Sequence, residues 1–149
     1  MPTNLHLHRF LLLCTLATPA WAASPATPAS LARTIDRGLY RCQDRQRCDI
    51  NPCVTNGGLR SCYEAAQAEW NVQTEKIEAT LVTRDPWCTT YWEQLKEKQA
   101  TYAEDALTTP ALADGPYNTD DDLKVLLAQH RYELAYAVLQ NYACRPRKR

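Results

Sequence analysis

The chain has 149 residues and carries 17 Lys and Arg against 17 Asp and Glu, so its formal net charge at neutral pH is zero. A chain of this length accommodates one small domain at most. Without a net positive charge, the chain is not expected to bind nucleic acid.

Residues 1–22 have the layout of a secretory signal peptide. An apolar run over 10–20 follows Arg9 and is too short to span a bilayer, which requires about 20 residues, and small residues follow it. The sequence therefore predicts a periplasmic or secreted protein with no integral membrane segment after leader cleavage. The predicted parts are a signal peptide at 1–22, a flexible spacer at 23–29 and a single helical domain at 30–149 with a Cys-rich loop at 42–62.

Cysteine content is the second mark of export. Cys14 leaves with the leader, and the others are Cys42, Cys48, Cys53, Cys62, Cys88 and Cys144. An even number in a small exported domain predicts three disulfides, but residue spacing does not choose among the many pairings. The alternative is zinc ligation, which needs clustered Cys and His. No Cys-x-x-Cys occurs, and His130 is the only histidine after the leader, so we expect no metal site and no cofactor.

A first helix is predicted from an N-cap at Ser30 to about Arg47. Its apolar face comprises Leu31, Ile35, Leu39 and Cys42. Beside it lies a row that we call the arginine ridge, formed by Arg33, Arg37, Arg41 and Arg45. One interpretation is a solvated face that Asp36 and Asp44 partly balance. The other is a contact surface for an acidic partner or an anionic cell-wall polymer.

Turn signals and helix caps divide the remaining chain. Asn51-Pro52 and the stretch 55–58 predict turns within the Cys-rich loop, which either only staples the fold or also presents a binding edge. A second helix is predicted over 59–83, and Asp85 caps a third over 86–107. The second helix has an apolar face of Tyr63, Ala66, Trp70, Thr74, Ile77 and Leu81. The third has an inner face of Cys88, Tyr91, Trp92, Leu95, Tyr102 and Ala106, with Trp87 undecided.

A fourth helix is predicted from Thr119, after an interruption at 108–118 with two prolines. Three aspartates follow Thr119, where the helix dipole favours negative charge. A calcium loop would need spaced acids, a Gly and a closing Glu. The predicted apolar face comprises Leu123, Leu127, His130, Leu134, Ala137 and Val138. The helical period in every segment predicts an all-α fold, a small disulfide-stapled bundle of about four helices.

Catalytic motifs are missing. One histidine inside a predicted apolar face does not supply the base of a nucleophilic triad, and disulfide-bonded cysteines are not nucleophiles. The carboxylates of Glu64, Glu69, Glu75 and Glu78 are placed on a solvated helix face rather than opposed as in a glycosidase. We therefore expect a binding protein rather than an enzyme.

Two separated stretches resemble the LprI-like lysozyme-inhibitor domain family. The first contains Cys62, Ala65-Ala66, Asn71 and Leu81, and the second contains Ala128-Gln129, Arg131-Tyr132 and Cys144. The resemblance implies a Cys62–Cys144 bridge between the two helices. It also implies a binding protein of the cell envelope whose protein partner is a muralytic enzyme, that is, a lysozyme-type wall hydrolase.

Other functions share this architecture. An immunity protein against a toxin delivered to the periplasm would use the same kind of surface. The alternative is a structural or accessory component of a cell-envelope assembly, attached through the Cys-rich loop or the basic residues after Cys144.

The signal peptide and the three disulfides are testable together. We expect the intact mass of the exported protein to lack residues 1–22 and to fall six hydrogens below that of the reduced mature chain. A thiol-alkylating reagent should leave that mass unchanged, and labelling of Cys42 or Cys53 would contradict the prediction.

Overall fold

A computed structural model describes residues 24–46, 56–109, 119–141 and 144. This part of the chain contains four α-helices, so the predicted all-α bundle is confirmed. The helices are α1 (Pro28–Gln46), α2 (Asn56–Val82), α3 (Pro86–Leu107) and α4 (Thr119–Gln140).

The start of α1 differs from the prediction. The Ser30 backbone N–H donates to Thr27 Oγ1 at 3.3 Å, so Thr27 rather than Ser30 occupies the capping position. Pro28 then fills the first helical position, where a missing N–H costs nothing. Pro28 and Ala29, assigned to the spacer in the prediction, are therefore helical.

The helices α2 and α3 show one wrong and one confirmed boundary. The predicted turn over 55–58 is wrong from Asn56 onward, because α2 already begins there. Burial of the apolar face of α2 outweighs the weak helix preference of the two glycines that follow Asn56. At α3 the prediction is confirmed, since an Asp85 side-chain oxygen accepts the Trp87 backbone N–H at 2.9 Å and Pro86 opens the helix.

The disulfides and the contact of Gln99 with Leu127 show that α1 and α2, and likewise α3 and α4, run antiparallel. Helices α2 and α4 run parallel, because Arg60 and Trp70 contact Asp121 and Tyr132 in the same order, and this pair forms the centre of the bundle. Helix α1 packs mainly against α2, whereas α3 packs mainly against α4. Across the α3–α4 contact the Gln99 side chain donates to the Leu127 carbonyl at 3.4 Å. Between α2 and α4, Arg131 forms an ion pair with Glu78, in which Nη2 lies 2.6 Å from Oε1.

The predicted core face of α2 is confirmed. Trp70, Thr74, Ile77 and Leu81 are at most 1% exposed, Ala66 is also buried, and Tyr63 is half-buried at the margin. The Thr74 hydroxyl donates to the Trp70 carbonyl at 2.8 Å, which explains how a polar residue fits this face.

On α4 the predicted face is only partly confirmed, since Leu127 and Val138 are buried and Leu134 packs against the core. His130 and Ala137 are exposed, whereas the buried positions are Asp121, Leu127, Ala128, Tyr132, Ala135, Val138 and Leu139. Apolar residues occur around most of this helix, so the period alone did not determine its inner side. Ala128 and Ala135 are buried in the helix that packs against α2, where small side chains suit a close contact between helices.

On α3 the inner face is only partly as predicted. Cys88 and Trp92 are buried, but Tyr91 and Tyr102 are exposed and Gln99 takes a core position. Trp87, which the pattern left undecided, is 52% exposed. A tyrosine tolerates water at its hydroxyl end, so its presence in a helical repeat does not show that it faces the core.

Disulfides staple both ends of the bundle. Cys42 pairs with Cys62, joining α1 to α2, and Cys88 pairs with Cys144, joining the start of α3 to the residue just beyond α4. The bridge Cys62–Cys144 that the family resemblance implied is therefore wrong. Those two residues lie at opposite ends of the molecule. Cys48 and Cys53 lie outside the described residues, and only the segment 47–55 of the predicted loop 42–62 is left between the helices.

The two staples are expected to contribute unequally to stability. Cys88 and Cys144 are separated by 56 residues and Cys42 and Cys62 by 20. A longer closed loop restricts the unfolded chain more, so the losses should be about 4 and about 3 kcal/mol, respectively. Urea unfolding of the two double-alanine variants, followed by circular dichroism without reductant, measures both. An equal or greater loss for the Cys42/Cys62 variant would contradict this order.

Candidate functional site

The arginine ridge lies on the outer side of α1. All four of its arginines are exposed, and twelve residues of helix separate the first from the last, a span of about 18 Å. Three of the side chains fold back along the helix, because Nε of Arg33, Arg37 and Arg45 donates to the carbonyl four residues earlier at 3.0–3.3 Å.

Within the described parts of the chain, no arginine of the ridge forms an ion pair. Asp36 and Asp44, which one interpretation had placed as partial counter-charges, are exposed on the same helix without bridging to it. Tyr40 is also exposed, at 66%. An Arg and Tyr surface of this kind has the composition of binding hot spots.

The backbone beneath the ridge is held at both ends. Thr27 caps its first turn, Leu31 and Ile35 are buried against the core, and Cys42 is bonded to Cys62 of α2. A helix fixed in this way loses little further conformational freedom when a partner binds.

A second polar feature is a crevice of ≈ 410 Å³ between the first turns of α2 and α4. Its wall contains Asp121, whose side chain is 4% exposed. Arg60 Nε lies 3.4 Å and Lys124 Nζ 3.6 Å from its carboxylate oxygens. The buried charge is thus paired from two helices, and Lys124 also bridges to Asp120 at 3.1 Å.

The ion pairs of the crevice shift the pKa values of the groups that form them. The hydrogen bond from Lys124 holds the pKa of Asp120 below its ordinary value, and Asp120 raises the pKa of Lys124. Burial, together with the neighbouring Asp122 carboxylate, raises the pKa of the Tyr63 phenol. These pKa shifts favour the charged forms of Asp120 and Lys124 and the neutral form of Tyr63, so the crevice resembles a structural network more than an acid–base site. The three aspartates lie in the first turn of α4, as predicted.

The outer flank of α3 carries a feature that the sequence interpretation missed. The rings of Trp87 and Tyr91 stack with centroids 5.2 Å apart and planes 2° from parallel, and both are exposed. We call them the aromatic pair. Their i, i+4 spacing was the available signal, but the prediction placed Tyr91 on the inner face and left Trp87 undecided.

Neither metal ligation nor membrane crossing is indicated by the residues described. No group of three or more His, Cys, Asp or Glu side chains among them is arranged to hold a metal ion. None of the described helices combines the length and the apolar character needed to cross a membrane. Glu64, Glu69 and Glu75 are exposed, and Glu78 is half-buried against Arg131.

Comparison of the chain with protein-family models, with curated proteins and with solved structures finds no match. The resemblance to LprI-like domains therefore stays a prediction that rests on the residues quoted for it.

The Asp121 network makes a stability prediction. Asp121→Asn should lower the free energy of unfolding by about 1–2 kcal/mol, because Arg60 and Lys124 both lose their ion pair with the Asp121 carboxylate. The side chains of Arg60 and Lys124 are 59% and 39% exposed, so water can hydrate both cations in the variant. The loss of unfolding free energy should therefore stay below the roughly 3–5 kcal/mol that breaking a fully buried ion pair costs. Asp120→Asn, at a 45% exposed side chain, is the matched control and should cost less. Equal losses in urea unfolding would contradict the role given to Asp121.

Proposed function

We propose that this chain is an exported, non-enzymatic binding protein that acts in the cell envelope through the arginine ridge. Its partner is a protein with an acidic contact face, and the partner class is a muralytic hydrolase of the lysozyme type whose activity it blocks. A periplasmic toxin held by an immunity protein presents the same chemistry.

The observation that carries this proposal is the lack of internal compensation at the ridge. Four exposed guanidinium groups along one stapled helix make no ion pair with the described residues, although the chain as a whole has no net charge. Such a local positive field attracts an acidic surface and accelerates its association. Planar guanidinium groups also make bidentate hydrogen bonds with carboxylates, which gives the contact geometric specificity.

Export and rigidity support the same proposal. Two disulfides in the described part of the chain are characteristic of proteins from an oxidising compartment. They join consecutive elements at both ends of the bundle, so the ridge is preorganised before a partner arrives. The family resemblance supplies the hydrolase as the class of partner, and the ridge adds that its contact face is acidic.

The test is a titration of the purified oxidised protein into a panel of lysozyme-type hydrolases degrading cell walls. We expect stoichiometric inhibition of at least one of them. Arg→Gln substitution of the whole ridge should weaken that inhibition about tenfold or more, since Arg side chains contribute strongly at hot spots. The weakening should diminish as salt screens the charges.

A matched control removes the same number of charges elsewhere. The basic tail, defined as Arg145, Arg147, Lys148 and Arg149, offers four cations that are separate from the ridge. Its Arg/Lys→Gln variant should inhibit like the unaltered protein. Undiminished inhibition by a folded ridge variant would remove the ridge from the proposal. Failure to inhibit any hydrolase, together with recovery in a stable envelope complex, would favour the structural or accessory alternative.

A further inference from the structure

The aromatic pair forms a fixed apolar surface on the outer flank of α3. Its two rings stack on each other, and Trp87 and Tyr91 are 52% and 41% exposed, so each ring keeps accessible surface outside the stack. The Asp85 side chain accepts the Trp87 backbone N–H, and Cys88 beside it is bonded to Cys144. A surface anchored in this way loses little conformational freedom when a ligand binds.

A shallow groove adjoins the aromatic pair on the same helix. It has a volume of ≈ 580 Å³ and extends over residues 89–100, about 16–17 Å of helix. Thr90 lines the groove three residues after Trp87. Gln94 lines it three residues after Tyr91. Because residues three apart are neighbours on a helix surface, the groove and the aromatic pair share an edge. The Thr90 and Gln94 side chains are exposed and form no hydrogen bond with the other residues that the structure describes.

Charges along this groove are balanced. Glu93 and Glu97 contribute two carboxylates to its lining, and Lys96 pairs with Glu93 at 2.9 Å. Lys98, exposed on the same helix, offsets the remaining charge of Glu97. A surface without net charge exerts no long-range attraction on a polyanion or a polycation. The complementary ligand is therefore uncharged and offers both apolar and hydrogen-bonding groups.

We propose that the aromatic pair and this groove bind an uncharged β-linked glycan built of N-acetylhexosamine units. The C–H face of a pyranose ring is apolar and packs against an aromatic ring, whose face carries partial negative charge. The hydroxyl and acetamido groups of the sugar need donors and acceptors, which Thr90, Gln94 and the carboxylates of the groove supply. A straight β-linked chain can follow a straight helix, and the groove accommodates an oligosaccharide rather than one sugar ring. This binding neither requires nor rests on the ridge function proposed above.

Two other occupants fit this surface less well. Proline-rich peptides dock in aromatic-lined grooves, and a ring held between two aromatic rings needs about 7–8 Å between them, given contact distances of roughly 3.5–4.0 Å. The ring centroids of Trp87 and Tyr91 are 5.2 Å apart, so their stack is closed to such a ring. In a stable dimer each copy of the chain would contribute about 800 Å², whereas two aromatic side chains supply at most about 150–250 Å² each.

The test uses the oxidised protein without residues 1–22 and two uncharged tetrasaccharides, β-linked N-acetylchitotetraose and α-linked maltotetraose. Isothermal titration calorimetry measures affinity. Acrylamide quenching locates the sugar, because Trp70 and Trp92 are each 1% exposed and Trp87 is the accessible indole of the mature chain. We expect saturable binding of chitotetraose with protection of Trp87 from the quencher. The affinity should not change with salt, since no net charge is involved. Maltotetraose, whose chain curves away from a straight groove, should bind at least about tenfold more weakly.

Paired variants assign the binding to this surface. Trp87→Ala should weaken chitotetraose binding about tenfold or more, because it removes the stacking surface. Gln94→Ala should weaken it roughly threefold or more, because it removes hydrogen bonds to the sugar. The matched controls are Tyr102→Ala, at a 61% exposed ring about 16–17 Å further along α3 than Tyr91, and Gln73→Ala on α2. Both controls should bind like the unaltered protein, and circular dichroism verifies that every variant is folded.

Four results would overturn the proposal. The first is no saturable binding of chitotetraose by the folded, oxidised protein. The second is binding that leaves Trp87 fully quenchable, or equal weakening by Trp87→Ala and Tyr102→Ala, because either would place the sugar elsewhere. The third is equal affinity for maltotetraose, which would indicate stacking without a groove that follows the chain. The fourth is self-association in sedimentation equilibrium that Trp87→Ala abolishes, which would assign the aromatic pair to a contact between two copies.

Discussion

The packing of α2 against α4 is the interaction on which the rest of the structure depends. Its centre is Trp70 of α2 against Tyr132 of α4, with ring centroids 5.4 Å apart and neither side chain more than 1% exposed. The Tyr132 hydroxyl then donates to the Ala26 carbonyl at 2.6 Å, which fixes the chain just before α1. Burial raises the pKa of that phenol, so it stays a hydrogen-bond donor through the physiological range. One aromatic contact thus positions three of the four helices and, with α1, the ridge.

Charge distribution explains how a chain without net charge presents a charged surface. Among the described residues, two ion pairs join α2 to α4: Arg60 pairs with Asp121, and Arg131 pairs with Glu78. Lys124 reinforces the first pair from within α4. These pairs serve the fold, because an unpaired carboxylate at the position of Asp121 would be costly. The arginine ridge has no such partner among the residues described, so its field extends into solvent.

The sequence was most informative where a single face was apolar and least informative where two were. On α2, Trp70, Thr74 and Ile77 recur at steps of three or four residues with mostly polar residues between them. The helical period therefore identified the buried face correctly. On α4, leucines surround the helix, and only the fit of Ala128 and Ala135 against α2 determines which side is buried. Residue spacing left the disulfide pairing open for a related reason, because Cys42 bonds to Cys62 only once α1 and α2 pack as antiparallel neighbours. The Cys62–Cys144 bridge that the family resemblance implied was wrong. The ridge could be predicted because its four-residue repeat lies within one helix. The aromatic pair was missed because its exposure depends on how α3 packs against α4.

The architecture places the arginine ridge and the aromatic pair on different helices. Helix α1 packs mainly against α2 and helix α3 mainly against α4. Each is tied to the bundle by its own disulfide, through Cys42 and through Cys88.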